Sequence, residues 1–156
     1  QRIQNGGELS DSADTQTGDR PRYDQLISFS DTKQDDKANA YKTVHFFTYD
    51  WMFDKVYDRA SESAEKLKQY YALLSPDFSM FTDMPKALQI NSVFKNRWCG
   101  AYWQSLGLRV IPTISWGDES SFDFCFGGVE EGATVAVCTY YRKIVKRNLC
   151  SVIIGC

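Results

Sequence analysis

The order of apolar segments predicts an α/β fold: a mainly parallel sheet of about five strands with covering helices. Three observations lead there. Short runs rich in β-formers recur at Leu26–Phe29, Thr43–Tyr49, Tyr71–Leu74, the start of Leu108–Phe126, and Thr134–Cys138. Two of them, around Val110 to Ile114 and over Thr134–Cys138, are apolar at successive positions, as a strand covered on both faces requires. The segments between most of these runs carry helical periodicity and are long enough to cross over between parallel neighbours. The architecture is then either an arc of a TIM-like βα barrel or an open doubly wound sheet. In both, the residues that follow each strand gather at one edge.

Gln1 to Arg22 contains Gly6-Gly7, many Ser, Asp and Thr residues and few apolar ones, so burial cannot offset the entropy of ordering it. It reads as a polar tail, and residues 23–156 as a single domain. Leu26–Phe29 ends in Ser30-Asp31, followed by a charged loop over Thr32–Asn39. Thr43–Tyr49 ends at Asp50. A helix is predicted over Asp54–Tyr70, with Phe53, Val56, Tyr57, Ala60, Ala64 and Leu67 at helical spacing. The run Tyr71–Leu74 closes on Ser75-Pro76-Asp77, where proline halts ladder pairing.

Thr82 and Asp83 suit a helix N-cap and Pro85 suits the first turn. The helix they open runs to Leu106, with Ala87, Ile90, Phe94, Trp98, Ala101 and Ser105 forming one stripe, and Gly107 stands where a helix terminates. Leu108–Phe126 then reads as strand, tight turn at Trp116-Gly117-Asp118, and a short helix capped by Asp118. Gly127-Gly128 precedes the Thr134–Cys138 strand. A last run, Leu149–Ile154, is separated from it by only Thr139–Asn148. That is short for a parallel crossover, so this piece is expected to pair antiparallel, to pack irregularly, or to be foreign to the fold.

Composition bounds function. With 43% hydrophobic and 15% aromatic residues and a net charge of −2, the 156-residue chain presents no global basic surface for nucleic acid. The longest apolar runs fall well short of the ~20 residues that span a bilayer, so no membrane insertion is expected. Cys99, Cys125, Cys138, Cys150 and Cys156 show neither CxxC pairs nor zinc-ligand spacing. They are odd in number and no secretory leader precedes them, so reduced thiols in a cytoplasmic compartment are expected. The chain starts at Gln1 without methionine and reads as a fragment. There is neither GxGxxG nor GxxxxGK[ST], so glycine-loop nucleotide binding is unsupported.

The succession LLSPDFSMFTDMPKALQ, then NRWCGAYWQSLGLRVIPTISWGDESSFDFCFGGV, resembles a bacterial and phage family, domain of unknown function 4417. The resemblance spans Leu26–Val137. It rests on Ser75-Pro76-Asp77, Asp83-Met84-Pro85, Asn96-Arg97, Trp116-Gly117-Asp118 and the Phe122–Phe126 pentapeptide. It implies genes carried on phages and mobile elements, and no established activity. After about residue 139 the chain departs from the pattern it implies.

Strand ends place Asp31, Asp50, Asp77 and Asp118 at one edge. Such carboxylates can serve as acid and base, or hold a divalent metal through hard oxygen ligands; they suit equally the turns and helix caps where aspartate is common for backbone reasons. The enzyme reading, of hydrolase or lyase type, assigns Asp77, Asp118 and Asp50 to chemistry. It gives Trp116, Ser75, Arg97 and Tyr140 to binding a small molecule, with Trp116 as a stacking platform. For Arg97 a salt bridge to Asp123 is the competing expectation. His45, the only histidine, reads as a packed or hydrogen-bonded strand residue, and Cys99 and Cys125 as buried inert thiols. The alternative reading is a non-catalytic module that binds nucleic acid or protein, with Arg142, Lys143, Lys146 and Arg147 as a local basic patch.

Overall fold

The computed structural model describes residues 23 and 25–138, and the backbone of 151–155. The expected tail over residues 1–22, Tyr140 and the basic residues from Arg142 to Arg147 lie outside the described residues.

Six strands form in chain order: β1 (Leu26–Ser28), β2 (Thr43–His45), β3 (Ala72–Leu74), β4 (Val110–Ile111), β5 (Thr134–Cys138) and β6 (Ser151–Gly155). The first four make one parallel sheet in sequential order. The last two pair with each other, also in parallel. A parallel bridge between Thr113 and Ala136 joins the two sets. Pro112 marks the junction: before it, Ser75 N donates to Ile111 O across to β3; after it, Ile114 N donates to Ala136 O across to β5. Every strand thus lies beside its neighbour in sequence. A doubly wound sheet reverses its order at a switch point, and no reversal occurs among these strands. The succession is that of a βα-barrel arc, in which right-handed crossovers put the helices on one face.

The last strand corrects an expectation. β6 runs parallel to β5, with Thr134 opposite Ser151 and Cys138 opposite Gly155. It begins at Ser151 rather than Leu149, which leaves just the dozen residues that a parallel crossover requires.

The predicted helix over Asp54–Tyr70 is two pieces, α1 (Lys55–Asp58) and α2 (Ala60–Leu67), interrupted at Arg59, whose backbone leaves the helical region. Most of its predicted apolar face is the buried one: Phe53, Val56, Ala60, Ala64 and Leu67 lie in the core, while Tyr57 is only partly buried against it. α3 (Lys86–Ser105) begins directly after Pro85 and ends in a Schellman motif. Leu108 N donates to Trp103 O and Gly107 N to Gln104 O, with Gly107 at φ +83°. A short 3-10 turn (Glu119–Ser121) leads into α4 (Phe122–Cys125).

The face that α3 turns inward is not the one its apolar spacing suggests. Gln89, Asn96, Cys99, Gly100 and Trp103 are buried, whereas Ile90, Phe94 and Trp98 of the predicted stripe are 44%, 53% and 40% exposed. α3 is apolar on two sides, so periodicity alone could not say which side meets the sheet. Trp103, fully buried against Phe46, and the buried Asn96 network described below fix the choice.

The core divides along the sheet. On the helix side, Ile27, Val44 and Leu73 pack with Phe46, Phe53, Val56, Leu67, Cys99 and Trp103. Ile114, Trp116, Cys125, Val135 and Val137 form a second cluster under α4. On the opposite face Leu74, Ile111 and Ala136 pack together, with Tyr23 and Phe47 against them.

Candidate functional site

Because the strands are parallel, the loops after β2, β3 and β4 all emerge at one rim. The aspartates on those loops act chiefly as latches between them. Asp50, at the head of a 3-10 turn, accepts from the Ser79 hydroxyl at 2.7 Å and from the Ser79 backbone N–H at 3.1 Å. This ties the loop after β2 to the loop after β3. One strand further on, Ser115 Oγ donates to Asp77 and ties the loop after β3 to the loop after β4. Asp118 turns back on its own segment, accepting from Ser120 N at 2.9 Å and Ser120 Oγ at 2.6 Å. Those bonds hold its carboxyl below the usual carboxylate range, and the residue caps the 3-10 turn as predicted. Asp31 is exposed in the turn after β1.

A divalent cation needs several hard oxygen donors converging on one point. Among the described residues no group of three or more His, Cys, Asp or Glu side chains converges in that way.

Beneath the rim lies a buried polar network. Ser75, 2% exposed, donates to Asn96 Oδ1 at 2.7 Å and accepts from Thr113 N at 2.8 Å. Asn96 Nδ2 donates to Pro76 O at 2.7 Å and to Thr113 O at 3.3 Å. The neighbouring Arg97 donates to Asn96 Oδ1 and Thr113 O through Nη1, to Gly127 O through Nε and to Cys125 O through Nη2. The guanidinium is thus held by main-chain carbonyls and one amide, not by Asp123, and burial lowers its pKa to about 10. Together Ser75, Asn96 and Arg97 pin α3 to the ends of β3 and β4 and to the turn after α4. The small, half-open cleft beside them, bordered by Phe78, Ser92, Arg97 and Ser115, is about 10 Å³, room for roughly one water. Asn96 was not among the sequence candidates. The signal available was a poor helix former in mid-helix, which needs a specific partner to be worth placing there.

Trp116, expected as a stacking platform, is covered. Trp116 is 8% exposed and packs edge-on against Phe122 in the second core cluster, because the strand exit continues into covered backbone rather than opening to solvent. The aromatics that do stand out are Tyr49 and Trp51, each 74% exposed on either side of the Asp50 latch, and Phe81, 58% exposed in the adjoining loop. Trp51 falls just after the Thr43–Tyr49 run, whereas Tyr49 reads as its last residue although the strand itself stops at His45, so no local pattern marks these rings as exposed. His45 accepts from Phe47 N through Nδ1 at 3.2 Å and stacks on the Phe47 ring. Burial lowers its pKa, opposed by Asp31. Cys99 is fully buried and burial pushes its thiol up to about 12.

No helix among the described residues is long and apolar enough to cross a membrane. No solved structure matches the chain. Two relatives are the Gene 1 proteins of Mycobacterium phages L5 and D29, 48% and 46% identical over 94 residues. The aligned stretch is 60% of this chain and 41% and 35% of theirs, so the chain spans less than half the length of the curated relatives it matches. The family model for a domain of unknown function, DUF4417, matches residues 11–151, beyond both ends of the Leu26–Val137 span on which the resemblance rests, and the chain therefore belongs to that family.

Proposed function

We propose that this domain is a non-catalytic, protein-binding accessory module of phage-type proteins, with Tyr49 and Trp51 as its contact surface. The observation that carries this reading is the pair of 74% exposed rings held at the rim by the Asp50–Ser79 latch. Tyr and Trp dominate the binding energy of protein interfaces, and a loop anchored beneath them loses little freedom on docking. Asp50 and Asp54 beside them disfavour a phosphate backbone, so a protein partner fits better than nucleic acid. The test places a photo-crosslinking phenylalanine at position 49 in the producing cell. A defined protein adduct that disappears with Trp51→Ala supports the reading. Adducts to nucleic acid, or adducts indifferent to Trp51, overturn it.

A second reading, a hydrolase- or lyase-type pocket using Asp77, Asp118 and Asp50, draws on one feature: the Asp77–Ser115 pair beside Arg97 at the strand ends. It requires a small-molecule turnover that falls by more than about 100-fold in both Asp77→Asn and Ser115→Ala. Turnover that survives either change removes it.

A further inference from the structure

Beside β1 lies an open groove of about 640 Å³, within the range that small-molecule sites occupy. Neither Tyr49 nor Trp51 lines it. Its polar wall comes from the ends of two adjacent strands. Ser28 and His45 are the last residues of β1 and β2 and are partners in register. Ile27 and Val44, one position earlier, join the core on the helix side, so alternation turns Ser28 and His45 together to the opposite face, on strands about 5 Å apart. Ser30, Asp31, Lys33 and Lys42 continue the lining. Crevices at the carboxyl ends of parallel strands are where α/β folds bind ligands.

The hydrogen bonds already made decide what this wall can offer. His45 Nδ1 accepts from Phe47 N at 3.2 Å, so the neutral ring carries its proton on Nε2 and has only that donor left. Burial holds the ring below its ordinary value, which keeps it neutral at pH 7. It therefore does not serve Ser28 as a general base, and a Ser-His dyad is ruled out. Ser28 and Ser30 share one hydroxyl proton at 2.8 Å and leave the second free to donate. Lys42 rests over the Tyr41 ring, and neither it nor Lys33 has an ion-pair partner among the described residues. Lys33 attracts Asp36, but Asn39 and Tyr70 already hold that carboxylate. Asp31 is the only carboxylate that lines the groove among the described residues.

We propose that this groove binds a small phosphate monoester. The phosphoryl oxygens accept from His45 Nε2, from the spare proton of the serine pair and from Lys33 and Lys42, while Asp31 accepts from a hydroxyl on the ester's other arm. A phosphoryl group presents three terminal oxygens to donors arriving from several directions, where a carboxylate has two in one plane. Lysine serves such a group as a point charge. The site uses neither Tyr49 nor Trp51, so its failure and the failure of the rim reading are separable.

NMR on the 156-residue chain tests the proposal, because His45 is the only histidine and a nitrogen label on histidine reports this groove alone. At pH 7 the free chain should show the Nε2-protonated tautomer. Glycerol phosphate, added at constant ionic strength, should shift both ring nitrogens saturably at millimolar concentration. It should also raise the pH midpoint of the ring, since a nearby anion favours imidazolium. Ser28→Ala should weaken binding about tenfold, the worth of one hydrogen bond to a charged group, and Lys42→Gln about fivefold. Asp31→Asn should tighten inorganic phosphate, which has no ester arm, about threefold by removing a like charge; a damaged fold does not produce such a gain. Dimethyl phosphate, a diester with a single charge, should bind more weakly than the monoester. An Nδ1-protonated ring, the absence of a saturable shift, a shift that survives both Ser28→Ala and Lys42→Gln, or equal binding of dimethyl phosphate overturns the proposal.

Discussion

Removing the Asn96 amide should destabilise the fold more than any other single polar change among the described residues. Asn96→Ala deletes an acceptor serving Ser75 Oγ and Arg97 Nη1 and a donor serving Pro76 O and Thr113 O. Several of these groups keep a second partner. Pro76 O still receives Phe78 N, and Thr113 O still receives Arg97 Nη1. The Ser75 hydroxyl proton does not, and it is left buried without an acceptor, which costs about 1–3 kcal/mol. The other lost bonds add about 0.5–1 kcal/mol each, and the vacated volume about 1 kcal/mol more. The total is about 3.5–7 kcal/mol, or a fall in melting temperature on the order of 10–20 °C for a domain of this size. Calorimetry and urea denaturation measure it directly. Ser75→Ala should cost about 2 kcal/mol by stranding Thr113 N, and the double variant less than the sum, because the two residues share a bond. Asn91→Ala, on the exposed side of the same helix, is the control. If Asn96→Ala melts within about 2 °C of the parent, or no lower than Asn91→Ala, the network does not pin α3 and the reasoning fails.

Other outcomes follow from the same structure. Trp51→Ala should change folding stability by less than about 0.5 kcal/mol, since the ring is 74% exposed; a larger loss in urea midpoint would mean that it packs. Gly107→Ala should lower stability by about 1 kcal/mol, because its φ of +83° strains any Cβ, and the loss should appear as faster amide exchange in the last turn of α3. Burial holds His45 below its ordinary value of 6.5. The unfolded chain then binds the proton more readily than the fold, so stability present above about pH 6.5 should fall as the pH drops through the lowered value. His45→Gln should flatten that part of the curve in pH-dependent melting. Asp36 and Asp118, held below 3.8, act only in more acidic solution. Cys99, with its thiol pushed up to about 12, should resist alkylation at neutral pH until the chain unfolds; mass mapping that finds it labelled at the rate of a free thiol would contradict its burial.

The chain's order of segments was legible because burial on both faces imposes uninterrupted apolar runs, and because turns need residues that backbone geometry dictates. Thr134–Cys138 forms the strand read from it, residue for residue. Gly107 ends α3 in the left-handed conformation expected there, and Asp118 caps its turn. Of the apolar positions read from Phe53 to Leu67 all but Tyr57 are buried, although the helix breaks at Arg59. The site was legible only as an edge. Strand ends do bring Asp50 and Asp77 to one rim, but whether a carboxylate faces solvent or a serine on the next loop depends on loop-to-loop spacing that no local pattern records.

Periodicity, turn chemistry and the length of connections suffice to specify the α/β class, the succession of elements and the parallel character of the sheet. Long-range packing settles which of α3's two apolar sides is buried, that Trp116 is core while Trp51 is exposed, and that β6 joins β5 in parallel. Periodicity states that a face is apolar, not what covers it. The cover is supplied by residues distant in the chain, and packing against them settles which surfaces remain free to bind.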